Sequence, residues 1–374
     1  MEKSAIRILH VVTDMRRGGL ESMLMNYYRK INRAVIQFDF LMHRETETDF
    51  TTEIIEMGGY IYHLPRLNPF SPKYLRALGN FFEEHPEYKI IHVHQDCMSG
   101  VILKAAKNHG VTVRIAHSHS SSQTKDLKYP LKLLYRHMIP RYATHMLACS
   151  EAAGRWMFCG ASFQVLKNAI NASLYRFDNE KRKEMRRVFG LHEDELLIGH
   201  VGRFSPPKNH LFLLNVFAEI HRQVDAKLLL VGDGVLREEI EKKIHDLGLD
   251  NDVILTGVRT DIPDLLQMMD VFLFPSIYEG LPVTVVEAQA SGLPVLVSDK
   301  VPLECKFTDL VQQISLEAGA DEWAKKAISA SHTLRGDTSG EVKNAGFDVV
   351  EQAEKLMSWY TDLYRESVYG KKTV

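Results

Sequence analysis

Between Val271 and Ser298 the chain reads VFLFPSIYEGLPVTVVEAQASGLPVLVS, an order of residues that few local structures accommodate. An apolar run, Val271 to Phe274, stops at Pro275, and a loop follows with Tyr278, Glu279, Gly280 and Leu281. Pro282 opens a helix that ends near Ser291 and Gly292, and Pro294 leads into a second apolar run, Val295 to Val297. Proline at a helix start and glycine just past its end bound the helix, and the flanking apolar runs read as strands. Glu279 and Glu287 stand eight positions apart, one on the loop and one inside the helix. Helical side chains lean toward the N-terminus, so Glu287 can point back to the mouth that Glu279 lines. Free N–H groups there suit a phosphate and carboxylates suit sugar hydroxyls, which makes the unit a candidate nucleotide-sugar site. The plainer alternative is a first-turn carboxylate that offsets the helix dipole, with a surface charge beside it.

The same alternation runs through the chain. Strand-like runs at Ile6–Val12, Phe38–Met42, Tyr60–His63, Ile90–His94, Val111–Ala116 and His145–Ala148 are separated by helical patterns such as Lys73–Glu84 and Ser99–Asn108. Strands and helices in alternation predict parallel sheets covered on both faces, with ligands at the carboxyl ends of the strands. At 374 residues the chain suits two domains of ordinary size. A boundary is expected near Val165–Asn171 (VLKNAIN), and a new strand opens at Leu196. After Val297 the pattern weakens, with helices expected at Asp321–Ser331 and Phe347–Glu366.

Charge is unevenly divided. Residues 1–170 hold 22 Lys and Arg against 15 Asp and Glu, while the remainder holds 24 against 33, so the first part is the one suited to anionic surfaces. No nucleic-acid-binding motif accompanies the basic residues, and no nucleic-acid partner is expected. The stretch Lys125 to Arg141 (KDLKYPLKLLYRHMIPR) interleaves Lys125, Lys128, Lys132, Arg136 and Arg141 with leucines and tyrosines, a composition suited to an anionic bilayer surface or to a solvated helix on its own domain. Pro130 and Pro140 limit any helix there to about two turns. The start of the chain lacks the pattern of a signal peptide, no apolar run reaches ~18 residues, and the four cysteines form no CxxC pair, so a reduced cytoplasmic setting is expected.

Other motifs carry chemistry. Gly18 and Gly19, between the first strand and a helix from about Glu21 to Lys30, allow backbone to approach a ligand closely, although they do not complete a G-x-G-x-x-G fingerprint. Two HxH pairs, His92/His94 and His117/His119, stand at strand ends. Residues two apart on a strand share a face, so each pair could chelate a metal, while half-buried histidines more simply bond to nearby groups. Arg203 and Lys208, in GRFSPPKNH after an apolar run, place two cations where a departing diphosphate could be held. Gly232 and Gly234 read as a strand-to-helix turn. Asp250-Asn251-Asp252 is formally a D-x-D, but it lies in a polar turn before a strand and is read as loop chemistry.

Taken with Arg203 and Lys208, the segment around Glu279 and Glu287 resembles the E-x7-E signature of the family 4 glycosyltransferases, and the likeness extends over nearly the whole chain. The hinge VLKNAIN departs mildly from the family's usual N-G-I-D, with Ala169 and Asn171 in place of Gly and Asp. The resemblance implies an α/β fold of the GT-B type, two Rossmann-like domains with parallel sheets facing an interdomain cleft. The N-terminal, acceptor-side domain would span 1–167 and regain about 353–374 through the last helix, and the nucleotide-sugar domain would span 168–352. It further implies a retaining enzyme that moves a sugar from a nucleotide diphosphate sugar, with uridine the expected nucleoside. The acceptor would be a lipid-linked or glycan hydroxyl in cell-surface polysaccharide synthesis, with the protein peripheral on the inner face of the plasma membrane and no metal or other cofactor. Arg203 and Lys208 would meet the diphosphate, Glu287 the ribose, Glu279 with the amides of Gly280 and Leu281 the sugar, and Val258 and Arg259 the nucleobase. Gly18 and Gly19 would lie against the donor phosphates or acceptor. His117 fits the family's functional histidine, with His119 as the alternative and His94 a further acceptor-side candidate. Other possible readings are a nucleotide-sugar epimerase of the same architecture, a metal hydrolase built on the HxH pairs and a non-catalytic nucleotide-sugar-binding protein.

Overall fold

The computed structural model describes residues 5–44, 47–121 and 129–370. Its contacts divide the chain into a first unit, Met1–Ala169 with Val349–Val374, and a second, Ile170–Asp348.

The first unit is built on seven strands: β1 (Ile6–Val12), β2 (Ile36–Met42), β3 (Ile61–His63), β4 (Ile90–Val93), β5 (Val113–Ser118), β6 (His145–Ala148) and β7 (Gln164–Val165). All pairings are parallel, in the order β3-β2-β1-β4-β5-β6-β7. Strands buried on both faces are mostly apolar, as in β1, where Arg7 and His10 interrupt the run, and in β4, where His92 does. β2 (IQFDFLM) is fully buried although it contains Asp39. Arg7 pairs with that carboxylate and Tyr88 donates to it at 2.9 Å, which compensates its desolvation. The helix Val349–Tyr369 buries Val349, Ala353, Leu356, Tyr360 and Leu363, one stripe at helical spacing, in the core formed by Ile8, Phe38, Tyr27 and their neighbours. The last segment thereby completes the first unit.

The second unit holds β8 (Leu196–Val201), β9 (Ala226–Val231), β10 (Val253–Gly257), β11 (Val271–Phe274), β12 (Val295–Ser298) and β13 (Val311–Ile314). These too are all parallel, in the order β10-β9-β8-β11-β12-β13. The expected strand, helix and strand of the 271–298 segment are β11, the helix Val283–Ala290 and β12, and the chain leaves the helix through Gly292 in the left-handed region. A side chain there would come within 2.4 Å of the Gly336 carbonyl oxygen, so glycine is required twice over. β7 and β13 are the strands that sequence periodicity does not reveal. β7 has only two residues, and β13 (VQQI) exposes both glutamines at the sheet edge, so neither gives an apolar run.

In each sheet strand order reverses once, at β1 and β4 in the first unit and at β8 and β11 in the second. Crossovers leave to opposite sides at such a point, and the loops beyond the strand ends part to leave a crevice. No helix among the described residues is long and apolar enough to cross a membrane.

Candidate functional site

The reversal point of the second sheet brings together most of the residues singled out after Leu196. The loop leaving β8 carries Arg203, and a single 3-10 turn, Pro206–Lys208, carries Lys208. The loop leaving the neighbouring β11 carries Glu279. Lys208 Nζ donates to Glu279 Oε1 at 2.8 Å, and the ammonium also lies 4.5 Å from the centre of the Phe274 ring. Both partners are largely withdrawn from water, with side chains 18% and 14% exposed. The pair is therefore less screened than a surface ion pair, and removing one side chain would cost the other its opposite charge.

The two loops are stitched by their backbones. The Ile277 N–H donates to the Pro207 carbonyl at 2.8 Å, and the Asn209 amide, on a residue in left-handed backbone, donates to the Pro275 carbonyl at 3.2 Å. Arg203 is exposed and has no ion-pair partner among the described residues. Its loop is shaped from below by Gly232, whose role exceeds a simple turn. With φ at +142°, Gly232 comes so close that a side chain would sit 2.1 Å from the Gly202 carbonyl oxygen. Beneath the loop, buried His200 bonds through Nδ1 to the Leu273 carbonyl at 2.8 Å.

Glu287 lies in the helix Val283–Ala290, one turn in from its start, and Gly280 and Leu281 are buried in the loop before it. Its carboxylate accepts a hydrogen bond of 2.6 Å from the Tyr175 hydroxyl. Burial lifts this carboxyl to about 7, and the tyrosine's hydrogen bond opposes the shift. Tyr175 follows a short turn in a segment without periodic pattern, so nothing in the sequence flagged it. At the sheet edge beyond β10, Val258 is exposed and Arg259 closes a two-pronged ion pair on Asp261, at 2.8 and 2.6 Å. Asp252 of the D-x-D is held by Lys227 at 2.8 Å.

The first unit places different chemistry at its reversal point. Gly18 is in extended backbone open to any residue, and a side chain on Gly19 would meet no neighbour within 4 Å. Packing within the unit thus does not explain Gly19, which opens the helix Gly19–Lys30 beyond β1. Beside it the two HxH pairs meet, joined by His10, which sequence reasoning passed over. His10 pairs in register with His92, and the alternation of each strand sets His10, His92, His94, His117 and His119 on one face at the ends of β1, β4 and β5. Adjacent ring centroids are 4.0 to 5.4 Å apart. A histidine inside the otherwise apolar run IRILHVV was the signal that could have found it.

Three bonds organise the cluster. His10 Nδ1 and His94 Nε2 are 3.1 Å apart, His94 Nδ1 and His119 Nε2 are 2.8 Å apart, and His92 Nδ1 meets the Tyr360 hydroxyl at 2.6 Å. Burial, reinforced by the neighbouring rings, holds His92, His94 and His117 well below the usual imidazole range. Burial alone brings His10 and His119 down to about 3. All five rings are accordingly neutral near pH 7.

In the basic stretch, Lys125 and Lys128 lie outside the described residues. Beyond them, the two-turn helix Tyr129–Arg136 has no fully buried side chain and leaves Leu134 exposed. Arg136 turns inward, donating to the Trp156 carbonyl at 2.8 Å and lying over its ring, whereas Arg141 is exposed.

Comparison with known proteins bears on the same two units. The chain matches the family descriptions Glycosyltransferase Family 4 over residues 17–173 and Glycosyl transferases group 1 over residues 181–333. EpsF of Bacillus subtilis (strain 168), whose name assigns it provisionally as a glycosyltransferase, is 35% identical over 96% of this chain and 97% of its own length. The UDP-Gal:alpha-D-GlcNAc-diphosphoundecaprenol alpha-1,3-galactosyltransferase of Escherichia coli is 25% identical over 96% of this chain and 98% of its own. The crystal structure of Anabaena HepE in complex with UDP and glucose matches with a TM-score of 0.78 at 20% identity, covering 95% of this chain and 99% of that one, a likeness of fold.

Proposed function

The chain belongs to the family 4 glycosyltransferases and is an enzyme of the hexosyltransferase type, and on that premise we propose that it transfers a sugar from a uridine diphosphate sugar to a hydroxyl of a lipid-linked glycan. Its setting is exopolysaccharide or capsule synthesis, a reading supported by the likeness to a Staphylococcus aureus protein named as the capsular polysaccharide biosynthesis glycosyltransferase CapH. The observation that carries the donor reading is the Lys208–Glu279 pair at the reversal point of the second sheet, on loops stitched to each other. A diphosphate arriving there competes with Glu279 for the ammonium of Lys208. As Lys208 turns to the phosphates, Glu279 accepts hydrogen bonds from the sugar hydroxyls in its place, and Arg203 supplies the second cation. The amides of Gly280 and Leu281 add donors to the sugar, and Glu287, oriented by Tyr175, receives the ribose hydroxyls. The nucleobase lies against Val258 and the backbone at Arg259, whose guanidinium stays on Asp261.

In this reading the bond from the anomeric carbon to the diphosphate breaks and a bond to the acceptor oxygen forms on the same face. The acceptor proton passes to the departing phosphate oxygen. Charge growing on the diphosphate is met by Arg203 and Lys208, which were positioned before the reaction began, and that preorganisation lowers the barrier. No metal ion is invoked in this step. Gly18, Gly19 and His117 serve the acceptor side, with His119 and His94 behind His117. In the same reading the enzyme is peripheral on the inner face of the plasma membrane, which the exposure of Leu134 on the helix Tyr129–Arg136 and of Arg141 supports.

The test is nucleotide release across a panel of uridine and guanosine sugar donors, with membrane lipid extracts as acceptors. Turnover with uridine donors that requires the lipid fraction is expected, and turnover confined to a guanosine donor would refute the nucleotide assignment. Folded Arg203→Ala and Glu287→Ala variants that bind and consume donor as well as the parent would end the site assignment.

A further inference from the structure

Five imidazoles on one face of a parallel sheet are more than packing requires. An apolar residue would fill each position without leaving ring nitrogens to satisfy, and here many are left. Among the described residues His117 has no hydrogen-bond partner at either ring nitrogen. Each buried polar atom left in that state costs roughly 1–3 kcal/mol, so the arrangement calls for something that nitrogen lone pairs can hold.

We propose that His94, His117 and His119 form a binding site for one divalent transition-metal ion of the zinc type, with His10 as the residue that orients His94. One ring nitrogen from each of the three lies within 4.8 Å of the other two. His94 Nδ1 and His119 Nε2 are already 2.8 Å apart, and ligand nitrogens on a tetrahedral zinc stand about 3.3 Å apart, so the rings need to open by only about half an ångström. The other nitrogen of His94 meets His10 Nδ1 at 3.1 Å. With His94 Nδ1 turned to the ion, its Nε2–H donates to His10, the arrangement by which metal-bound histidines are fixed in tautomer and direction. Three neutral nitrogens suit zinc, cobalt, nickel or copper and are a poor match for magnesium or calcium, which take oxygen.

A second trio, His10, His92 and His94, also has nitrogens within 4.8 Å of one another. It is the weaker candidate for two reasons. His92 is anchored to Tyr360 and all three of its residues are buried, while His119 of the chosen trio is partly exposed and gives the ion a way in from the strand ends. Bound there, the ion ties the end of β4 to that of β5 and keeps a fourth position for water or another oxygen ligand. With the ion bound, His117 would meet an acceptor only through the ion's fourth position, so the site replaces the direct acceptor-side role of these histidines; metal content and not turnover reads it.

The experiment uses the full chain with any affinity tag removed. The protein is stripped with chelator and titrated with Zn²⁺ against a chromophoric competitor, then with Co²⁺. A single tight equivalent, a zinc-dependent rise in melting temperature and visible tetrahedral cobalt bands are expected. His119→Gln, at the partly exposed position, should abolish the tight equivalent, and His10→Gln should weaken it by about 10- to 100-fold. His92→Gln should leave it intact. The proposal is overturned if the unmodified chain neither takes up zinc tightly nor gains melting temperature. It is equally overturned if His119→Gln binds like the parent, or if only His92→Gln loses the ion. Should His119→Gln misfold, the titration and cobalt spectrum of the unmodified chain still decide.

Discussion

At the reversal point of the first sheet stand five imidazoles, four of them fully buried and all held neutral by that burial. At the matching point of the second stand a lysine–glutamate pair, an exposed arginine and a carboxylate held by a tyrosine. The backbone offers the same thing in both places, parallel strand ends where order reverses. What each place can bind is set by the side chains that top the strands. Fixed charge suits a diphosphate, which brings charge of its own. Neutral nitrogen donors suit a metal ion, or the hydroxyls of an acceptor that must stay nucleophilic.

The contrast breaks first on the cations. Arg203→Ala or Lys208→Ala should lower transfer by about 10²- to 10³-fold in steady-state nucleotide release, the loss expected when one preorganised charge is removed. Comparable turnover would mean that the charged end of the second sheet is not where the diphosphate sits.

Next in size is Gly232→Ala. The new methyl would press on the Gly202 carbonyl in a backbone conformation that alanine resists. A loss of about 2–4 kcal/mol in urea unfolding is expected, together with weaker donor binding through the displaced Arg203 loop. Unchanged unfolding would show that the loop has slack.

Glu287 sharpens the comparison by pH. Its carboxyl stands at about 7 in the folded chain against an ordinary 4.5, so the fold retains a proton that the unfolded chain has released. That contribution to stability is complete below about 4.5 and is lost as pH rises through about 7. The loss is at most about 3 kcal/mol, and less because the residue is only partly buried. Urea melts across this window should slope downward with pH for the parent and run flatter for Glu287→Gln. Parallel curves would mean that Glu287 is better solvated than its surroundings indicate.

The smallest effect tests the neutral end. Tyr360→Phe removes the hydroxyl that meets His92 Nδ1 and should cost about 1 kcal/mol in the same melts. Donor affinity, which the proposed function assigns to the second unit, should not change. A tenfold loss of donor affinity would show that the two ends do not act separately.

Much of this was legible in residue order because local rules govern it. Apolar runs of strand length alternating with helical periods fixed two parallel sheets, and Pro282 and Gly292 bounded the helix that carries Glu287, since φ restriction and the left-handed C-cap act within a few residues. The pairing of Lys208 with Glu279 was not legible. The two are 71 positions apart, and only the adjacency of β8 and β11 makes them neighbours. Tyr175 reaches Glu287 across 112 positions, and Tyr360 reaches His92 across 268. The same holds for His10. Alone it was a polar residue in an apolar strand, and it became one wall of a histidine cluster only when β1 was laid beside β4 in register. Sequence determined which elements form and which residue types stand at their ends, because those follow from local sterics and periodicity. Tertiary structure decided which ends meet, because strand order is set by packing of the whole sheet.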